Sequence, residues 1–147
     1  MAHVVKSVLV SHSAELMFDL VDAAERYPEF LPWCGGARVH SRDEGHTEAS
    51  IDIRYLGMSQ TFSTRNAKRR PFEMLIALVE GPFQSLNGCW RFTPLTQTAC
   101  KVEFALDYAF GNAVIEGVIG PVMSMIAETF VDRFVQRADQ LYGGGIA

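Results

Sequence analysis

The sequence predicts an α+β domain in which one long amphipathic helix packs against a half-buried antiparallel sheet. From residue 37 to 110, apolar and polar side chains alternate with the period of two that is typical of strands with one buried face. A helical pattern of apolar residues follows and continues to about Tyr142. The chain has 147 residues, of which 48% are hydrophobic, so it is long enough for one domain with a sizeable core and hardly for two.

The N-terminal part of the chain predicts a strand, a helix and a stiff connection. Residues 4–10 are rich in β-branched side chains, which favour a strand. Ser11 and Ser13 offer hydroxyl groups that can cap a helix over residues 14–24. Two prolines interrupt the aromatic stretch 27–34, so we expect it to form a short connection at a surface or at the mouth of a cavity, ended by two glycines.

The middle of the chain predicts about six antiparallel strands joined by turns. Glycine, proline or short polar runs interrupt the alternation and place the turns at residues 43–45, 57–58, 68–71, 81–82 and 94–96. The most regular alternation belongs to the last strand, which ends at Phe110. This arrangement of consecutive strands before one helix is typical of a single antiparallel layer.

Two strands of this sheet carry specific expectations about burial. Ser50, Asp52 and Arg54 alternate with apolar residues, so we expect them to face water. Residues 72–79 are apolar on both faces apart from Glu73, which predicts a strand that lies centrally in the sheet or is covered on both sides.

The C-terminal helix is expected to be interrupted at Gly120–Pro121 and to turn one apolar stripe towards the sheet. That stripe consists of Met123, Ala127, Phe130, Phe134, Ala138 and Leu141. Residues 143–147 are expected to form a flexible tail. A gap between a curved sheet and such a helix is a common place for a small-molecule site, although tight packing without any gap would need the same apolar residues.

Composition excludes several classes of function. Thirteen Lys and Arg against 17 Asp and Glu give a net charge of −4, so we expect no global nucleic-acid-binding surface and no DNA partner. The four histidines and three cysteines lack the spacing of metal ligands, and neither a metal nor a catalytic residue is expected.

The cysteines are expected to be reduced in a cytoplasmic protein, with Cys34 the one to test for reactivity. No uncharged apolar run reaches transmembrane length.

A cluster of positive charge contrasts with this acidic background. Four of the thirteen basic residues lie within six positions, at Arg65, Lys68, Arg69 and Arg70. Such a run is usually a solvated hairpin end, but here it raises the chance of an anionic partner. RNA phosphates or anionic lipid headgroups, in a transient contact with a membrane surface, would both fit.

The stretch Tyr-Pro-Glu-Phe-Leu-Pro-Trp-Cys at residues 27–34 closely resembles the signature of the START-like family that joins coenzyme-Q-binding proteins to bacterial ribosome-association toxins, within the polyketide cyclase/dehydrase-like superfamily. Residues 81–83, residues 88–92 and the long helix after 110–112 support the resemblance. The resemblance implies one helix-grip domain (START/Bet v 1-like) over residues 1–147. In that fold a curved antiparallel sheet of about six to seven strands wraps round the C-terminal helix and encloses a hydrophobic cavity.

The family's coenzyme-Q-binding members imply non-catalytic binding of a ubiquinone-like isoprenoid quinone or related lipid, in support of respiration, with no other cofactor. On this hypothesis three groups of side chains would contact the ligand. The entrance would be gated by Phe30, Leu31 and Trp33. The sheet wall would consist of Tyr55, Trp90, Phe104, Leu106 and Tyr108, and the helix wall of Met123, Ile126 and Phe130.

Two further functions stay open. The family's toxins are described as binding the large ribosomal subunit and blocking its joining to the small one, and residues 65–70 would then face rRNA phosphates. A polyketide cyclase or aromatase is the lower-ranked alternative, because it needs a positioned acid or base inside the cavity and the strand phases place only tyrosines there.

Overall fold

The computed structural model describes residues 2–143 as one seven-stranded antiparallel sheet, two α-helices and a short 3-10 helix, Ala24–Glu29. The strands are β1 Ala2–Val10, β2 Cys34–Arg42, β3 His46–Tyr55, β4 Met58–Arg69, β5 Glu73–Glu80, β6 Phe83–Thr96 and β7 Ala99–Phe110. The α-helices are α1 Ala14–Asp22 and α2 Ala113–Tyr142. The predicted α+β class is confirmed, and apart from Gly143 the predicted tail lies outside the described residues.

The sheet follows the chain order through successive hairpins. Strands β2 to β7 pair in the order in which they follow along the chain, and β1 pairs with β7. The strand order in the sheet is therefore β1-β7-β6-β5-β4-β3-β2. One predicted turn is displaced: β6 continues through residues 94–96, with a register shift between Pro94 and Thr96. A proline has no N–H to donate, and the irregular ladder at this point accommodates it.

The connection between α1 and β2 is more structured than the prolines suggested. Ser13 caps α1 as predicted, since its Oγ accepts a hydrogen bond from the Leu16 backbone N–H at 3.1 Å. The 3-10 helix then includes Pro28, and β2 already begins at Cys34. Gly35 and Gly36 therefore lie inside β2, where a Cβ atom would collide with the side chains of the neighbouring strand β3.

The prediction that the C-terminal helix is interrupted at Gly120–Pro121 is wrong, because α2 is continuous over 30 residues. Pro121 lies on the exposed side of α2, where water can satisfy the carbonyl that loses its helical partner. The apolar stripe is buried as predicted at four of its positions, whereas Phe130 is half-buried and Leu141 is 50% exposed. By length and composition α2 could cross a membrane, but its buried side chains pack in the core of the domain.

Of the two alternatives predicted for β5, the structure shows the central position and not the cover on both sides. β5 lies fourth among the seven strands, so it is central in the sheet. Helix α2 lies against only one face, which we call the inner face. On the opposite or outer face, Leu75 and Val79 are 46% and 52% exposed.

Asp52 lies on the outer face of β3 and is only 7% exposed, although the alternation predicted a wet position. The Arg38 guanidinium donates two hydrogen bonds to its carboxylate, at 2.9 and 3.1 Å, and the Thr61 hydroxyl donates a third at 2.7 Å. These hydrogen bonds, with Arg38 the largest cause, lower the pKa of Asp52 to about 2. They replace the water that the strand pattern led us to expect.

We expect Asp52→Asn to lower the free energy of unfolding at pH 7 by about 1–2 kcal/mol, since Arg38 is partly solvated and the ion pair is screened. The folded pKa is below the ordinary value of 3.8, so the contribution is present above pH 4 and is lost as the pH falls towards 2. Urea unfolding at pH 7 and at pH 2.5 measures the difference between the two proteins. A gap that stays constant over this range would contradict the assignment to Asp52.

Candidate ligand-binding site

A cavity of about 80 Å³ lies between the inner face of the sheet and α2. Five strands, α2 and the segment that includes the 3-10 helix contribute to its wall. The lining residues are Ala24, Tyr27, Trp33, Ala49, Ile51, Phe62, Thr64, Asn66, Met74, Ile76, Leu86, Trp90, Phe104, Leu106, Met123, Ile126, Ala127 and Phe130. Most of these side chains are apolar, so the cavity favours an apolar ligand.

Seven of the eleven side chains predicted to contact a ligand line this cavity. They are Trp33, Trp90, Phe104, Leu106, Met123, Ile126 and Phe130. Trp90 is central among them, with ring centroids 4.6 Å from Phe104 and 5.7 Å from Phe130. For the six of them that lie on strands or on α2, strand phase and helical spacing indicated the face that lines the cavity; Trp33 belongs to the connection before β2.

The other four predicted residues do not line the cavity. Leu31 is 1% exposed and belongs to the core, and the Phe30 ring packs on Phe134 with centroids 5.1 Å apart. Tyr108 lies in an aromatic cluster with Phe83, and Tyr55 lies at the last β3–β4 pair before the turn. Strand phase gives the face on which a side chain lies, but it does not give its position relative to the helix.

The predicted entrance is closed in this conformation. Trp33 is 3% exposed, and its ring lies 6.2 Å from that of Phe130 on α2. On the outside, Arg137 of α2 donates a hydrogen bond at 2.6 Å to Glu29, and its guanidinium lies 5.4 Å above the Phe30 ring. The 3-10 helix and the loop after it are therefore fastened to α2 by an ion pair and by aromatic packing.

A few polar groups interrupt the apolar wall. The buried Nε1 of Trp33 and the buried Oδ1 of Asn66 have no hydrogen-bond partner. The Tyr27 hydroxyl donates to the Val21 carbonyl at 2.5 Å, and burial raises the pKa of this phenol. Asn66 was not predicted as a site residue, although Phe62, Thr64 and Asn66 follow one another at intervals of two along β4, which indicates a shared face.

The cavity wall is suited to binding rather than to proton transfer. Its lining includes neither a carboxylate nor an imidazole nor an amine, and its one phenol is held by a backbone carbonyl. General acid–base catalysis needs a group with a pKa near the working pH within reach of the ligand. Across residues 2–143, no group of three or more His, Cys, Asp or Glu side chains is placed to hold a metal ion.

The four basic residues at 65–70 do not form one continuous surface. Lys68 lies on the inner-face phase of β4, where its side chain is 6% exposed and its Nζ lies 3.1 Å from Asp22. Arg70 binds Asp19 through two hydrogen bonds of 2.8 Å. Arg65 and Arg69 point to the outer side, because alternate residues of a strand face opposite ways.

The cysteines differ in accessibility. Burial raises the pKa of the Cys34 and Cys100 thiols to about 11, and Cys34 also donates to the Gly36 carbonyl at 3.3 Å. At pH 8 only about one such thiol in a thousand is ionised, and the thiolate is the nucleophile. Cys89 is half-buried on the outer face of β6.

We expect iodoacetamide at pH 8 to modify Cys89 first in the native protein and to leave Cys34 and Cys100 unmodified over the same period. Mass spectrometry of the intact protein and of its peptides would count and locate the adducts. Denaturant is the control, because unfolding should expose all three thiols. Rapid native labelling of Cys34 would show that the connection opens readily and would contradict the closed arrangement.

Known protein families match most of this chain. A family model described as "Polyketide cyclase / dehydrase and lipid transport" matches residues 10–135. A ribosome association toxin RatA of Vibrio cholerae is 44% identical over 143 residues, which cover 97% of this chain and 99% of that protein. The coenzyme Q-binding protein COQ10 homolog B of Xenopus laevis is 22% identical, over 94% of this chain and 58% of that protein.

Solved structures share the same architecture. The Zhui aromatase/cyclase from Streptomyces sp. R1128 superimposes with a TM-score of 0.82 at 15% identity, over 97% of this chain and 98% of that one. A START superfamily protein from Mycobacterium smegmatis gives a TM-score of 0.78 at 21% identity, over 95% and 98% of the two chains. These matches confirm the predicted helix-grip fold.

Proposed function

Because the chain belongs to the START-like family of polyketide cyclases, dehydrases and lipid transport proteins, we propose that it binds an amphipathic lipid of the isoprenoid quinone type without transforming it. The cavity between the inner face and α2 is the observation that carries this proposal. The likeness to an aromatase/cyclase, at 15% identity, concerns the fold alone. A wall without a carboxylate, imidazole or amine supports binding over catalysis.

Burial of the apolar tail would supply most of the affinity. Each buried methylene group contributes about 0.8 kcal/mol, so one five-carbon prenyl unit contributes about 4 kcal/mol. No charged anchor is then needed. The polar atoms of Trp33 and Asn66 would act on the head group instead, where they can give orientation.

The cavity must enlarge to hold such a ligand. Its volume of about 80 Å³ is well below the roughly 300–1,000 Å³ of typical ligand pockets. The contacts that hold the 3-10 helix on α2, Arg137 with Glu29 and Phe30 with Phe134, lie where the wall has to separate. We therefore propose that the ligand enters between this helix and α2.

Two measurements on the purified full chain test this function. Organic extraction followed by mass spectrometry should recover a quinone or another prenyl lipid from protein isolated from cells. Calorimetric titration with benzoquinones that carry one, two or three prenyl units should show affinity rising with tail length. An extract without such a lipid, together with no heat of binding for any member of the series, would refute the proposal.

We propose ribosome association as a second candidate function. The observation that favours it is the 44% identity with a ribosome association toxin over nearly the full length of both chains. Arg65 has a 54% exposed side chain and Arg69 is exposed on the same face, so both could contact rRNA phosphates. Lys68 is not included, since its ammonium group is buried against Asp22.

Sucrose-gradient sedimentation of lysates that overproduce the chain tests this second function. We expect the protein to sediment with large ribosomal subunits, and the double variant R65E/R69E to lose this association or to show a weaker one that salt abolishes sooner. The matched control is R91E, which reverses an exposed charge on β6 of the same outer face. Equal sedimentation of all three proteins would remove Arg65 and Arg69 from the interface, and absence of the native chain from ribosomal fractions would refute the function itself.

A further inference from the structure

Two residues that line the cavity each have a buried polar atom without a hydrogen-bond partner, Trp33 Nε1 and Asn66 Oδ1. We propose that Trp33 and Asn66 determine specificity by binding a hydroxylated aromatic head, so that a hydroquinone is preferred to its oxidised quinone. This inference rests on the proposed lipid-binding function and adds to it the chemistry of the head group.

Buried polar atoms in folded proteins are nearly always hydrogen-bonded, so an exception requires a physical reason. Among the described residues, the side-chain atoms that lack a partner while buried are Trp33 Nε1, Asn66 Oδ1 and Arg137 Nε. The first two belong to residues that line the cavity, whereas Arg137 lies outside it. A ligand in the cavity is therefore the partner that both residues have in common.

Trp33 is held in place by its surroundings. Its backbone carbonyl accepts a hydrogen bond from the Arg54 N–H at 2.8 Å, and its ring packs on Phe130. With 3% of the residue exposed, bulk water does not reach the indole readily. The indole N–H is only a donor, so its partner must be an acceptor such as a ligand oxygen.

Asn66 lies at the polar end of the inner face of β4. Going along this face, the side chains change from Phe62 through Thr64 and Asn66 to Lys68. The cross-strand neighbour of Asn66 is Thr47, whose hydroxyl already donates to Asp22 at 2.8 Å. The Lys68 ammonium group binds the same carboxylate at 3.1 Å. Thr47 and Lys68 thus bind Asp22, and Asn66 Oδ1 has no partner among the protein groups around it.

The two unpartnered atoms, Trp33 Nε1 and Asn66 Oδ1, together require an acceptor and a donor on the ligand. Asn66 Oδ1 accepts a hydrogen, which a hydroxyl group supplies, and Trp33 donates one, which any ligand oxygen accepts. An oxidised benzoquinone has only acceptor oxygens. A hydroquinone has hydroxyl groups that both donate and accept, so it can satisfy both residues at once.

This arrangement predicts opposite effects on stability and on binding. Asn66→Leu removes an unsatisfied buried acceptor, so the ligand-free variant should melt a few degrees higher than the native protein. The same variant should bind a short-tailed hydroquinone about three- to tenfold more weakly, while its affinity for the quinone changes by less than twofold. Trp33→Phe should weaken both ligands about three- to tenfold, because each has an acceptor for the indole N–H.

Calorimetric titrations under anaerobic conditions test the inference with benzoquinone carrying one prenyl unit and with its hydroquinone. Asn87→Leu is the matched control, because it makes the same substitution at an exposed position on β6 that does not line the cavity. We expect the native chain and this control to prefer the hydroquinone. If the native chain binds both ligands equally and Asn66→Leu changes neither, the inference is wrong while lipid binding stands. If the native chain binds neither ligand nor any longer-tailed homologue, the proposed function itself fails.

Discussion

Substitution of Ala49 by leucine is expected to abolish lipid binding while the domain stays folded. Ala49 is 2% exposed and lines the cavity from β3, opposite Thr64 of β4. Three additional carbons would occupy much of a space of about 80 Å³. Exclusion of a single prenyl unit, worth about 4 kcal/mol, corresponds to roughly a thousandfold loss of affinity.

Calorimetry with a prenylated benzoquinone measures this loss, and thermal melting shows whether the fold persists. Filling an existing cavity usually retains or raises stability, so the melting temperature should not fall by more than a few degrees. Ala67→Leu is the matched control, since Ala67 lies on the outer-face phase of β4, and it should bind the ligand as the native chain does. Undiminished affinity of Ala49→Leu would show that the ligand binds elsewhere.

The second large effect is expected for Trp90→Ala. Trp90 is 1% exposed, and besides Phe104 and Phe130 its ring contacts those of Phe92 and Phe134, with centroids 5.8 and 5.3 Å away. Loss of a buried tryptophan costs about 3–5 kcal/mol, which lowers the melting temperature of a domain of this size by roughly 10 °C or more.

Thermal melting and urea unfolding of the variant measure this effect. Leu56→Ala is the control, because Leu56 is 88% exposed in the β3–β4 turn and its truncation should change the melting temperature by about 1 °C or less. A Trp90→Ala protein that melted at the native temperature would mean that this aromatic cluster is not a packed part of the core.

The sequence was most informative where a pattern depends on local geometry. The regular alternation of β7 predicted both the strand and its buried face, and the spacing of Met123, Ala127 and Phe134 predicted the face of α2 that packs inward. Periods of two and of about four are properties of the backbone itself. They can be read without knowledge of what the chain packs against.

The wrong predictions concern contacts between side chains of different elements of the fold. The sequence pattern places Lys68 in an exposed basic cluster. In the structure its ammonium group binds the carboxylate of Asp22, which lies 46 positions earlier in the chain. Asp52 was expected in water, but Arg38 of the preceding strand covers it. Asn66 was missed because the partner that a buried amide lacks can be recognised only when its neighbours are known.

The hydrogen bond of Arg137 to Glu29 and the small volume of the cavity affect how fast a ligand can bind and leave. If a ligand enters between the 3-10 helix and α2 as proposed, only conformers in which this contact is open admit it, and the apparent dissociation constant exceeds the intrinsic one by the inverse of their fraction. The same barrier slows release, because escape waits for the wall to part. On the proposed lipid-binding function, the ligand would have a long residence time, and a partner that favours the open state would speed its release.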